Sequence, residues 1–105
     1  MEIEFVAQRI TQLRMKKNIS EQQMSRDIGH GRNYIQNISS GHAKPSLTEL
    51  LYMCEYLGVT PSEFFDEEIK EPILLRRAYE GLKKLDEKDL NVLIGLIDRL
   101  NEGKE

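Results

Sequence analysis

The sequence predicts an all-α fold, with five short helices in residues 3–65 and a two-helix hairpin after them. Capping signals recur along the chain, each a Ser or Thr followed three positions later by Glu or Gln, as at helix N-termini. Residues that tolerate the left-handed conformation follow the expected last turns: Asn18, Gly29, Gly41 and Gly58. Apolar residues recur at helical spacing, whereas no segment shows the sustained alternation of a half-buried strand.

The first three helices are placed by apolar spacing and by these signals. The first covers about residues 3–17, and its apolar residues recur at helical spacing: Ile3, Val6, Ile10 and Leu13. The second begins after Ser20 and covers about residues 21–28. The third covers about residues 32–39, and Gly29 permits a tight turn between the two. The pattern is therefore that of two short helices crossing at a steep angle.

Two further capping signals place the next helices. Ser46 starts a fourth helix over about residues 47–57, and Thr60 starts a fifth over residues 61–65. One face of the fourth helix is predicted to be apolar: Leu47, Leu50, Leu51, Cys54 and Leu57. Three methionines are predicted to fill the core: Met15, Met24 and Met53.

A polar segment over residues 66–71 ends at Pro72. Its charged composition is typical of a link between units rather than of a core element. The predicted domains are therefore residues 1–66 and residues 67–105.

Two helices are predicted after this link, over about residues 73–85 and from Asp86 to about residue 101. The last one holds seven apolar residues in the eleven positions 90–100, more than a single buried stripe needs. We therefore expect a hairpin that docks on the five-helix part and also pairs with a second subunit, forming a homodimer. Extra core packing within one chain is the alternative.

Charge is distributed unevenly along the chain. Residues 1–47 carry seven Lys or Arg and four acids, a net charge of +3, whereas residues 48–105 have a net charge of −6. A basic front with an acidic back favours an oriented encounter with a polyanion, although solvated faces of charged helices would give the same pattern.

Several classes of protein are excluded by composition. No apolar stretch is long enough to span a membrane, and the acidic N-terminus lacks the pattern of a secretory signal. Cys54 is the only cysteine, so an intramolecular disulfide is excluded and a reducing cytoplasm is the expected location.

Polar residues that suit the reading of base edges recur on the outer face of the third helix: Arg32, Asn33, Gln36 and Asn37. Arg can bind guanine O6 and N7 together, and Asn or Gln can bind adenine N6 and N7. A short polar helix within a net-basic segment is typical of proteins that read the DNA major groove.

Residues 9–65 resemble the lambda-repressor-like, Cro/CI-type helix-turn-helix (XRE) family. The matching stretches are SEQQMSRDIG at 20–29, RNYI at 32–35, GHAKPSL at 41–47 and LGVTPSEFF at 57–65. The resemblance implies a five-helix DNA-binding domain, usually acting as a dimeric transcriptional regulator on a pseudo-palindromic operator.

The resemblance also implies which residues contact DNA. The positions that read bases, with one further polar neighbour, are Arg32, Asn33, Gln36 and Asn37. The positions that contact phosphates are Tyr34, His42, Lys44 and Gln22. Four positions depart from the family's pattern, which often has Gln, Ala, an apolar residue and an acid respectively at Glu21, Ser25, His30 and Ser39. An acid at residue 21 would repel a phosphate.

The leading hypothesis is therefore a sequence-specific repressor that binds double-stranded DNA as a homodimer. The alternative is a protein-interaction module, such as an antitoxin or antirepressor, because the C-terminal hairpin is rich in apolar residues. An enzyme is not expected, since the sequence has no Gly-rich phosphate loop and no nucleophile–His–acid set. No cofactor or metal is expected, and His30 and His42 are interpreted as turn and surface residues.

Overall fold

The computed structural model describes residues 1–104, which form seven α-helices and no β-strand. The helices are α1 (Glu4–Lys16), α2 (Glu21–Asp27), α3 (Tyr34–Ser39), α4 (Leu47–Leu57), α5 (Pro61–Phe65), α6 (Pro72–Leu82) and α7 (Glu87–Leu100). The predicted all-α fold is confirmed. The chain divides into two compact units, Met1–Lys70 and a second that begins at Glu71.

The predicted capping residues lie at the starts of their helices. Ser20, Ser46 and Asp86 each accept the backbone N–H three residues further on, at 2.9–3.1 Å. Before α5 the capping is reciprocal: Thr60 Oγ1 accepts from the Glu63 N–H at 3.1 Å, and the Glu63 carboxylate accepts from the Thr60 N–H at 2.8 Å. These bonds satisfy donors that a helix N-terminus otherwise leaves unpaired.

The four predicted helix ends have a positive φ: Asn18 (55°), Gly29 (84°), Gly41 (85°) and Gly58 (78°). At the end of α2 the Gly29 N–H donates to the Arg26 carbonyl at 2.9 Å, and the His30 N–H donates to the Ser25 carbonyl at 2.9 Å. This pair of bonds is a Schellman motif, which requires the left-handed conformation that glycine adopts without strain. It turns the chain sharply out of α2.

The core of the first unit lies among α1 to α5. It consists of buried apolar residues: Ile10, Leu13, Met24, Ile35, Ile38, Leu50, Met53, Cys54, Leu57, Val59 and Phe64. Met24 and Met53 are fully buried, as predicted.

Three residues predicted to be buried are instead exposed. Met15 is 62% exposed, because it follows Leu13 by two positions and is therefore rotated about 200° from that buried residue. Leu47 and Leu51 are 72% and 47% exposed, so the prediction that they share the buried face of α4 is wrong. The core covers only the stripe of α4 that contains Leu50, Met53, Cys54 and Leu57.

Helix α3 begins at Tyr34, two residues later than the sequence predicts. A tertiary contact sets this start, because the hydroxyl of the buried Ser25 accepts the Ile35 N–H at 3.0 Å. Arg32 and Asn33 consequently precede the helix, and the prediction that both lie on it is wrong.

A buried arginine joins α1 to the end of α5. Arg9 is 3% exposed, and its guanidinium donates to the carbonyls of Phe64 and Glu63 at 2.8 and 2.7 Å and to Gln12 Oε1 at 2.6 Å. Burial lowers the pKa of Arg9, an effect that the nearby carboxylate of Asp66 opposes. The last carbonyls of a helix have no N–H partner within that helix. The Arg9 guanidinium supplies donors to two such carbonyls at the end of α5.

The second unit contains α6 and α7, two further helices as predicted. Four leucines are half-buried: Leu82, Leu85, Leu90 and Leu93. Nine large apolar residues are exposed: Ile73, Leu74, Leu75, Tyr79, Val92, Ile94, Leu96, Ile97 and Leu100. We call these nine residues the C-terminal apolar surface.

Candidate nucleic-acid interface

Ser25 joins α2 to α3 at the centre of the candidate interface. Its side chain is fully buried, and its hydroxyl donates to the Glu21 carbonyl at 2.8 Å while accepting the Ile35 N–H at 3.0 Å. The Ile35 N–H lies in the first turn of α3, where no helical carbonyl is available to it. One side chain of α2 therefore fixes where α3 begins.

Arg32 and Asn33 lie in the turn immediately before α3. Both side chains are exposed, and neither makes a hydrogen bond or ion pair within residues 1–104. The backbone of Asn33 is nevertheless held, since its carbonyl accepts the Asn37 N–H at 2.9 Å. The two side chains thus project from an ordered backbone with their donors and acceptors unused.

Gln36 and Asn37 lie on the outer face of α3. Ile35 and Ile38 are buried on either side of them in the sequence, and 100° per residue places Gln36 and Asn37 on the opposite side of the helix. Their side chains are exposed and without a partner in the described part of the chain. Here the sequence prediction and the structure agree on position.

The loop after α3 folds back on the end of that helix. The Ala43 N–H donates to the Asn37 carbonyl at 3.0 Å, and the Ser40 hydroxyl and His42 Nδ1 lie 2.6 Å apart. His42 and Lys44 are exposed, and Lys44 has no ion-pair partner among residues 1–104. The structure therefore brings both residues beside the C-terminal end of α3.

Glu21 and Gln22 begin α2, and they too lie at this end of α3. The Ser39 hydroxyl donates to Glu21 Oε2 at 2.8 Å, while the side chain of Gln22 is exposed. The Ser39 hydroxyl also lies 3.0 Å from the Ile35 carbonyl, so its one proton is shared between this carbonyl and the Glu21 carboxylate. The hydrogen bond to Glu21 also ties the start of α2 to the end of α3.

Tyr34, His30 and Glu49 form a cluster that the sequence does not predict. The rings of His30 and Tyr34 stack with centroids 3.7 Å apart and an interplanar angle of 7°. His30 Nε2 lies 2.9 Å from Glu49 Oε2. Burial, together with the Glu49 carboxylate, raises the pKa of the Tyr34 hydroxyl. His30 lies in the turn, as predicted. Its partner Glu49 is 19 positions away, so no local sequence pattern indicates their contact.

All eight candidate residues lie on one unit, in α2, α3 and the turns on either side of α3. Within residues 1–104, no group of three or more His, Cys, Asp or Glu is placed to hold a metal ion. No helix in the described chain is both long enough and apolar enough to cross a membrane.

A family model described as a helix-turn-helix domain matches residues 7–68, more than half of the chain. The chain therefore belongs to the helix-turn-helix domain family, a class of DNA-binding domains. The matched region contains α2, α3 and the turn between them. No curated protein and no solved structure matches the sequence.

Proposed function

We propose that this protein is a sequence-specific transcriptional regulator of the lambda-repressor-like, Cro/CI-type (XRE) group. It binds a pseudo-palindromic operator as a homodimer and represses by occluding the promoter. One observation carries the proposal: exposed polar side chains with no partner of their own are held at the start and outer face of α3 by a buried framework.

Base reading is assigned to α3 and the turn before it. An α-helix with its side chains is about 10–12 Å across, and the major groove is about 12 Å wide, so α3 can enter it. Arg32 supplies the fork that binds guanine, whereas Asn33 and Gln36 supply amides that bind adenine. Asn37 lies next to them on the same outer face.

Phosphate contacts are assigned to the two margins of this surface. Lys44 and His42 flank the end of α3, Gln22 lies at the start of α2, and Tyr34 is half-buried in its stack on His30. Such contacts set the register of the protein on the duplex without reading sequence.

The homodimer is assigned to the C-terminal apolar surface. At 100° per residue, the apolar residues of α7 cover about 200° of its circumference, about twice the stripe that one packing face requires. A second copy would cover the remainder and would present two α3 helices to successive half-sites.

Selection from randomised duplex DNA tests the proposal. We expect enrichment of a two-fold symmetric motif with half-sites about 10 base pairs apart or a multiple of that spacing. Retention of DNA without any motif would reduce the function to sequence-independent binding.

Replacement of Arg32 tests base reading directly. R32A is expected to weaken binding to the selected site by about 1–3 kcal/mol and to relax the choice of base at one position. R26A removes the same charge from an exposed position of α2 and is the control. If both variants weaken binding equally and neither changes base preference, Arg32 contributes charge alone.

A protein-binding function, of the antitoxin or antirepressor kind, is the second candidate. The observation that favours it is the same C-terminal apolar surface, which would cover a partner protein equally well. A purified chain that stays monomeric at tens of micromolar would favour this candidate over the homodimer.

A further inference from the structure

We propose that Tyr56 is a positioning residue for DNA recognition, and that its hydroxyl acts through Asp27 to hold the turn before α3 on α4. The inference rests on the proposed DNA-binding function and adds to it a residue that is not among those assigned to contact DNA. It predicts that loss of this hydroxyl weakens the choice between DNA sequences without changing the attraction of DNA as a polyanion.

The carboxylate of Asp27, the last residue of α2, is held at both of its oxygens. The Tyr56 hydroxyl donates to Oδ2 at 2.5 Å, and Gln23 Nε2 donates to Oδ1 at 2.7 Å. An acid in the last turn of a helix is unfavourable for that helix, because the last carbonyls form the negative end of its dipole. The Asp27 carboxylate therefore contributes to the fold through these two partners.

Tyr56 presents its hydroxyl from a fixed place on α4. Its ring is half-buried and packs against the core of the first unit. Burial, followed by the hydrogen bond to Asp27 and the charge of that residue, raises the pKa of the Tyr56 hydroxyl to about 12. The hydroxyl therefore keeps its proton at neutral pH and remains a donor to Asp27.

The same face of α4 contacts the turn at a second point. Glu49 Oε2 lies 2.9 Å from His30 Nε2, and Glu49 precedes Tyr56 by seven positions. Seven residues are almost two turns of a helix, so the two side chains share one face and lie about 10 Å apart along its axis. Their partners, Asp27 and His30, lie on either side of Gly29, so α4 holds the turn before and after its left-handed residue.

These side chains supply an attachment that the packing of helix backbones does not. The backbone of α2 packs closely against α3, and that of α3 also against α1, whereas α4 approaches neither α2 nor α3 as closely. Arg32 and Asn33 directly follow this turn. A turn that is ordered before binding presents both side chains from one backbone position, which favours the operator over other sequences. Attraction by phosphates depends on charge instead.

Selection from a pool of randomised duplex DNA, carried out with the unmodified chain and with Y56F, tests this role. We expect both to enrich one motif, with Y56F less selective at the positions that Arg32 and Asn33 read. In fluorescence anisotropy, Y56F should bind a duplex that carries the motif about two- to tenfold more weakly, and a mixed-sequence duplex of the same length equally. A loss of stability alone would weaken binding to both duplexes by one factor.

Y52F is the matched control. Tyr52 is exposed on the same helix, and its hydroxyl has no hydrogen-bond partner within residues 1–104. Its removal should leave both affinities unchanged.

Two substitutions of Asp27 separate its charge from its role as an acceptor. D27N keeps an oxygen that accepts from Tyr56, whereas D27A keeps none, and both remove one negative charge. Both variants should therefore bind the mixed-sequence duplex more tightly, but only D27A should lose preference for the motif. Adding Y56F to D27A should have no further effect, because the two residues act through one hydrogen bond.

Amide hydrogen exchange followed by NMR reports on the turn in the absence of DNA. The N–H groups of Gly29 and His30, which form the Schellman motif, should exchange about two- to tenfold faster in Y56F and at an unchanged rate in Y52F. Equal exchange in Y56F and the unmodified chain, or equal preference for the motif, would overturn the role of Tyr56 and leave the regulator proposal standing. If the unmodified chain enriched no motif, both proposals would be overturned.

Discussion

At the scale of single residues, the hydroxyl of Ser25 makes the contact that links α2 to α3. S25A leaves the Ile35 N–H buried without an acceptor, which costs about 1–3 kcal/mol. The smaller side chain creates almost no void, so the variant should fold. We expect the free energy of unfolding to fall by that amount, measured by urea denaturation followed by far-UV circular dichroism.

S62A is the matched control for this substitution. Ser62 is exposed in α5, and its side chain has no hydrogen-bond partner within residues 1–104, so the change in unfolding free energy should stay within about 0.5 kcal/mol. Equal stabilities of S25A and S62A would show that water or a rearranged backbone satisfies the Ile35 N–H.

The contacts of two residues, Arg9 and His30, could not be predicted from the sequence. Arg9 is one of the seven basic residues in residues 1–47, yet its guanidinium is buried against carbonyls 54 and 55 positions away. His30 has its partner Glu49 in another helix. Both contacts depend on the tertiary arrangement of short helices, which periodicity does not encode.

At the scale of elements, the turn between α2 and α3 offers two neighbouring glycines with different roles. Gly29 has a φ of +84°, whereas Gly31 lies outside that left-handed region, and a Cβ added at either would meet no atom within 4 Å. G29A should therefore cost about 1–2 kcal/mol through backbone strain alone. G31A should be neutral or stabilise the fold by about 0.4–1 kcal/mol, because it restricts the unfolded chain.

Urea denaturation gives the free energy of unfolding of both glycine variants. The added methyl group contacts nothing in either variant, so a difference between them reports on the backbone alone. If G29A proved as stable as G31A, the left-handed conformation at residue 29 would not be required, and the Schellman motif at the end of α2 would contribute nothing.

The helix boundaries were the most predictable feature of the fold, since capping residues lie next to the helix ends that they set. The bounds of α4 and α5 agree with the capping residues, and the start of α7 follows Asp86 as predicted. The start of α3 was not predictable, because a hydroxyl ten positions upstream sets it. Of the candidate interface, the outer face of α3 was predictable from its polar residues, whereas the placement of Arg32 before the helix was not.

At the scale of the whole molecule, the chain combines a small core with a large exposed apolar area. The first unit buries its apolar residues among five helices, whereas the second leaves the C-terminal apolar surface exposed. Exposed apolar side chains in this number make the second unit a candidate interaction site. Residues 71–105 carry seven Lys or Arg and eight acids, so this surface belongs to a nearly neutral unit, whereas the basic residues 1–47 suit a polyanion.

We expect copies of the chain to assemble through the C-terminal apolar surface. Leu96 is 46% exposed on the apolar side of α7, and a charge there would have to be buried at an interface between copies. L96E should convert a dimer of twice 12.2 kDa into a monomer, measured by size-exclusion chromatography with light scattering. Its helix content should be unchanged, and affinity for a two-half-site duplex should fall more than affinity for one half-site. N91E adds the same charge on the opposite, exposed face of α7 and should remain dimeric. A monomeric unmodified chain, or a dimeric L96E, would place subunit contacts elsewhere and favour a partner protein on this surface.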